Sequence, residues 1–136
     1  MNARAAQFGI AAIFLILGGW ALFAPGHVID LGFAPAGHKQ VEGDGKTPEG
    51  TYLIDRRNPN SDFHLSIGIS YPNARDIARA MAAGQDPGGD IFIHGQPNKS
   101  RGEGPDWTAG CISVTNREME DIYAMVTDGT PITIRP

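Results

Sequence analysis

Cys111 is the single cysteine among 136 residues, and it closes the tetrapeptide Thr108-Ala109-Gly110-Cys111. A cysteine attacks a carbonyl carbon as its thiolate, so it needs a base or a positive field beside it. His94 can meet that need. It ends the apolar run Asp90-Ile91-Phe92-Ile93-His94, is followed by Gly95, and precedes Cys111 by 17 positions. A loop of that length can join two neighbouring strand ends and bring both side chains to one place. Gly110 permits a sharp turn, so backbone N–H groups around Gly110 and Cys111 can converge on an oxyanion. On residue type and spacing alone, however, the plainer reading outweighs this one: a small buried thiol and a satisfied core histidine.

The elements that must position these residues are short. His27–Phe33, Thr51–Asp55, Phe63–Ile69, Asp90–His94, Cys111–Val114 and Thr130–Ile134 read as strands, and 57–61 as a turn. Phe63–Ile69 alternates apolar and polar residues, as a half-buried strand does. Pro72-Asn73 opens a helix over 74–83, with Ile77, Ala78 and Met81 as its apolar stripe and Gly84 at its stop. Thr115 and Glu118 form a capping box for a second helix, which buries Met119, Ile122, Tyr123 and Val126. Between the strands the 18 glycines and 10 prolines serve as turns. The class is mainly β with two flanking helices.

Phe8–Phe23 carries no charge and follows Arg4, the pattern of a signal peptide or membrane anchor. About 17 helical residues would span roughly 25 Å, a little less than the ~30 Å bilayer core. Pro25 follows the small residue Ala24 and disfavours cleavage, which favours an anchor over a removed signal. Residues 1–24 are therefore read as a targeting or anchoring segment, 25–136 as one domain, and the location as the cell envelope. A net charge of −4, with no basic stripe, argues against a nucleic-acid partner. The four histidines are scattered and there is no second cysteine, so no metal site or other cofactor is expected. Gly45-Lys46-Thr47 is no phosphate loop, because Pro48 and Gly50 forbid the helix that must follow.

The segments Ile91–Asn98, Thr108–Asn116 and Asp128–Ile134 resemble the signature of the L,D-transpeptidase catalytic domain (YkuD-like). The matching features are His94-Gly95, the Thr108–Cys111 block, Asn116 and Gly129-Thr130-Pro131, with the turn Gly43–Gly50 upstream. The similarity spans about residues 28–136 in the family's order. It implies a small β-sandwich or barrel-like fold with flanking helices, shortened here at its N-terminal side. The implied reaction is acyl transfer on peptidoglycan stem tetrapeptides. Cys111 would form a thioester, His94 would act as base and acid, and the Gly110 backbone would hold the oxyanion. Gly95, Trp107, Thr108 and Ser113 are the expected substrate-binding residues.

Two departures from the pattern bear on the reaction. Ala109 stands where many family members have histidine, and Ser113 where they have arginine. The TAGC form is similar to a branch that includes an enzyme detaching lipoprotein from the wall, which makes an envelope lipoprotein a second candidate partner. Two alternatives stay open: a hydrolase of the same fold acting on wall-linked peptides, and an inactive, truncated envelope protein. Lys46 and Glu49 are read as turn residues before cleft lining, His64 as solvated or structural before a third polar group of the cleft, Trp107 equally as packing or site wall, and Asn116 as part of the helix cap before a hydrogen bond to the catalytic loop.

Overall fold

The computed structural model describes residues 29–99 and 104–135, together with the backbone of 12–15. In chain order the elements are β1 (Ala12–Leu15), β2 (Gly50–Asn58), β3 (Ser66–Ile69), α1 (Ala74–Ala82), β4 (Phe92–His94), β5 (Ile112–Ser113), α2 (Asn116–Met125) and β6 (Pro131–Arg135). The six strands form one sheet in the order β1-β6-β2-β3-β4-β5. Every neighbouring pair is antiparallel except β4 and β5, which run parallel. This is the mainly-β class expected from the strand-and-turn pattern.

The core follows from alternation. Tyr52 and Ile54 of β2, Ile93 of β4, Ile112 of β5 and Ile132 and Ile134 of β6 point inward. Met119, Ile122 and Val126 of α2 cover them, with Tyr123 packed at the margin. Thr115 caps α2 as its motif requires: its hydroxyl accepts from the Glu118 N–H, and the Glu118 carboxylate accepts from the Thr115 N–H.

Several boundaries differ from the sequence pattern, each for a local reason. β2 runs on through Arg57 and Asn58, where a turn is expected. The Arg57 guanidinium donates to the Tyr123 and Val126 carbonyls and lies over the Tyr123 ring, which fastens the strand end to α2. β3 begins at Ser66 because His64 takes a left-handed φ of 74°. All four β3 residues are buried, so the strand is not half-exposed as its alternation suggests. β4 and β5 are correspondingly short. Residues 29–33 make isolated bridges, Asp30 to Ser113 and Gly32 to Thr108, in place of a continuous strand; His27 lies outside the described residues.

Helix α1 departs most. Ile77 and Met81 are 41% and 72% exposed, and the helix buries Asp76 and Ala80 instead. The docking is polar. Asp76 accepts from the Tyr52 hydroxyl at 2.8 Å and bonds His38 Nε2 at 2.8 Å. His38 Nδ1 accepts from the Glu49 N–H at 2.8 Å, so the ring proton sits on Nε2 and His38 donates to Asp76. These bonds hold the Asp76 carboxyl below the ordinary carboxylate range despite its burial.

The targeting segment proposed for residues 1–24 falls outside the described residues, apart from Ala12–Leu15, which pair with Arg135–Ile132 of β6. Among the described residues, no helix is long and apolar enough to cross a membrane.

Three glycines bring the turns before β2 and β5 against residues 29–33. A Cβ on Gly32 would lie 2.1 Å from the Gly45 carbonyl oxygen and 3.1 Å from Gly110 Cα. Backbone fills that space, and backbone yields at greater cost than a flexible side chain. Gly32→Ala is expected to lower stability by about 1–3 kcal/mol in urea unfolding. Unchanged stability would show that the three segments are not in contact.

Candidate active site

The register of β4 and β5 places the two candidate catalytic residues. Ile93 pairs with Ile112, and His94 with Ser113. Both isoleucines are wholly buried in the core, so His94 and Ser113 share the opposite face. Cys111 lies two residues before Ser113, one residue ahead of β5, and its thiol bonds the Asp90 carbonyl in the segment that leads into β4.

His94 is 4% exposed. Its Nδ1 donates to the Gly95 carbonyl at 2.7 Å, which leaves Nε2 as the basic nitrogen. No hydrogen bond engages Nε2 among the described residues. The Phe63 ring lies 4.5 Å from the imidazole, centroid to centroid, and Trp107 lies 5.8 Å away on the same cluster. Burial pushes the imidazole below its ordinary pKa, and the Gly95 carbonyl only partly offsets this. A neutral ring with one free nitrogen is the form a general base requires.

Cys111 is half-buried, and its thiol donates to the Asp90 carbonyl at 3.5 Å. Burial raises the thiol pKa; the Phe92 backbone N–H and the charges of Lys39 and Arg56 pull the other way. The resting pair is therefore a thiol and a neutral imidazole, not a preformed thiolate and imidazolium. Attack needs the proton to move as the bond forms.

The Thr108–Cys111 corner is braced by its own threonine. The Thr108 hydroxyl donates to the Cys111 carbonyl at 2.6 Å and accepts from the Gly110 N–H at 3.2 Å. Gly110 adopts φ +139°, and a Cβ there would meet the Lys46 carbonyl oxygen at 2.8 Å. The Gly110 N–H, expected to hold an oxyanion, is thus already engaged by Thr108.

The other expected residues divide by exposure. Trp107 is half-buried and walls the site beside His94. Thr108 is 4% exposed and spent on the corner. Ser113 is 0% exposed, exchanges backbone bonds with Asp30 at 2.8 and 3.0 Å, and accepts from Gln96 Nε2 at 3.1 Å. It is a buried strut between the two strands and the 29–33 segment. Gly95 is also buried; its N–H donates to the Phe63 carbonyl and its own carbonyl receives the His94 proton. His64 pairs with Glu120 at 2.9 Å and takes no part in the cluster. Lys46 reaches back to the Ala36 carbonyl at 2.5 Å.

Sequence reasoning missed Phe63 and Gln96. Phe63 lies 31 residues before His94 and meets it only through the β3–β4 pairing. Gln96 Nε2 also donates to the Val114 carbonyl at 3.0 Å, and the Gln96 N–H donates to Asn116 Oδ1 at 2.8 Å. Asn116 therefore anchors the turn after His94, while the cap itself belongs to Thr115. A cavity of about 450 Å³ opens at the start of α1, lined by His38, Glu49, Tyr52, Arg75, Asp76 and Arg79 among others; none of its lining residues belongs to the Cys111 corner. Among the described residues, no group of three or more His, Cys, Asp or Glu side chains could hold a metal ion.

The fold is shared with two solved bacterial proteins. The helical cell shape determining protein Pgp2 of Campylobacter jejuni superposes with a TM-score of 0.59 at 34% identity, over 75% of this chain and 34% of that one. Bd1075 of Bdellovibrio bacteriovorus shares the fold, with a TM-score of 0.51 at 23% identity over 79% of this chain and 39% of its own. YafK of Escherichia coli strain K12, provisionally named an L,D-transpeptidase, is 33% identical over 93 residues, 67% of this chain and 32% of its own length. The sequence profile of the L,D-transpeptidase catalytic domain (YkuD) matches residues 19–134, and the chain belongs to that family. It spans about a third of the length of the relatives it matches.

The two titrations are open to direct measurement. The His94 ring should titrate below 6.5 by NMR, and alkylation of Cys111 by iodoacetamide should rise with a midpoint above 9.0. A thiol midpoint near neutrality would mean that a resting ion pair exists after all.

Proposed function

We propose that this domain is a cysteine acyltransferase acting on peptidoglycan stem tetrapeptides, with Cys111 as nucleophile and His94 as general base and acid. The observation that supports the reading is the β4–β5 register, in which the partner of His94 is Ser113, two residues after Cys111. Family membership supplies the substrate class.

In the proposed cycle the Cys111 thiol turns from the Asp90 carbonyl towards His94 Nε2, which takes its proton. The sulfur attacks the carbonyl carbon of the third stem residue, and the oxyanion receives the Cys111 N–H. His94 returns the proton to the amine of the departing terminal D-alanine, leaving a thioester. An acceptor amine then attacks the thioester, loses its proton to His94, and releases the thiol. The Gly95 carbonyl keeps the ring in one tautomer throughout, and the Phe63 and Trp107 rings keep water from Nε2.

Hydrolysis is the same cycle with water as the acceptor. It remains the second reading because Ser113 is buried and offers no side chain to fix an acceptor's carboxylate. A location at the cell envelope, and anchoring by residues 1–24, belong to this proposal.

Purified disaccharide-tetrapeptide separates the readings. Cross-linked dimer indicates transfer, and shortened monomer alone indicates hydrolysis. Cys111→Ala should lower turnover on the order of 10⁴-fold or more, and His94→Ala roughly 10²- to 10⁴-fold, both with the fold retained by circular dichroism. Full activity in Cys111→Ala would refute the assignment.

A further inference from the structure

Lys39 is the only buried lysine or arginine among the described residues, at 3% exposure. Its ammonium donates to Asp44 Oδ1 at 3.0 Å and to the Val41 carbonyl at 3.2 Å, which uses two of its three donors. Asp44 is itself well supplied. Its carboxylate also accepts from the Gln40, Val41 and Lys46 N–H groups at 2.8, 3.1 and 3.0 Å. These bonds hold its pKa down to about 2. The backbone donors already stabilise the carboxylate, so the Lys39 charge is more than the turn requires.

Burying an ammonium costs several kcal/mol, and a buried ion pair rarely adds stability over apolar packing. A reason for its place lies next to it. Nζ is 3.7 Å from the position of a Cβ on Gly110, immediately behind the corner that carries the nucleophile. The Lys46 carbonyl oxygen at 2.8 Å and Ile91 Cδ1 at 3.3 Å flank the same position.

We propose that Lys39 is a positioning residue for the nucleophile: its ammonium, locked behind Gly110 by Asp44 and Val41, is the fixed positive charge that stabilises the Cys111 thiolate once His94 has taken the proton. This inference rests on Cys111 being the nucleophile. The other charged groups acting on the sulfur are Asp90 and Arg56, and the titratable group of the neighbouring strand is His94. Arg56 and Asp90 bond each other at 3.3 Å at the surface, with side chains 42% and 87% exposed, so water and salt screen both. His94 is neutral at rest. Lys39 is the charge that solvent does not screen.

The test is the pH dependence of Cys111 alkylation by iodoacetamide in Lys39→Met and Lys39→Arg, each checked by thermal melting. Lys39→Met should move the midpoint up by about one pH unit, giving roughly tenfold slower alkylation at a fixed pH below it. Lys39→Arg should restore most of the shift. A folded Lys39→Met with the wild-type midpoint overturns the proposal. If Lys39→Met does not fold, the wild-type protein decides. The Lys39 side-chain NMR signal should then titrate with the Cys111 midpoint and lose that step in Cys111→Ala; a signal blind to the thiol overturns the proposal. The thiol readout needs no turnover, so failure here leaves the acyltransfer reading standing, and loss of that reading would show separately as activity surviving Cys111→Ala.

Discussion

The candidate site depends on a parallel pairing only two residues long. Ile93 opposite Ile112 and His94 opposite Ser113 fix which face the imidazole occupies, with Cys111 one residue ahead of the strand. Side-chain direction alternates along a strand, so a slip of one residue would exchange the isoleucine face for the face that carries His94. Two residues of pairing cannot hold that register by themselves. Gln96 reaches across to Ser113 and Val114, Asn116 holds the Gln96 N–H, and Asp30 exchanges two backbone bonds with Ser113. The burial of Ser113 then becomes intelligible: the position serves the register of the strand.

The same economy governs the nucleophile corner. Thr108 bonds the Cys111 carbonyl and the Gly110 N–H at once, and Gly32, Gly45 and Gly110 let three backbone segments approach where no Cβ would fit. These contacts hold the backbone of the corner rigid. Their cost is one N–H that is no longer available to an oxyanion.

Much of this was legible in the sequence, and the limits have physical causes. The Thr115–Glu118 box, the apolar face of α2 and the strands flanking His94 and Cys111 are written in local spacing, and the structure contains them. The α1 stripe of Ile77 and Met81 is equally clear in the pattern, yet it faces solvent. Asp76 outweighs it through partners 24 and 38 residues away, which no local periodicity reports. Phe63, Gln96 and Lys39 were invisible for the same reason, since their roles exist only after distant segments meet. The strand expected at 27–33 appears over the described residues 29–33 as two isolated bridges, because Thr108 lies on a corner and Ser113 ends a strand of only two residues.

The pairing of Ala12–Leu15 with β6 joins two matters that the sequence left apart. Those four residues lie inside the uncharged stretch Phe8–Phe23, and in the sheet their backbone groups bond Ile132–Arg135. A lipid-spanning helix would satisfy the same backbone groups within itself. One stretch of chain cannot do both at once. Insertion of Ala12–Leu15 into a bilayer as helix would bare the β6 edge, so a six-stranded sheet and a membrane span through these four residues exclude one another.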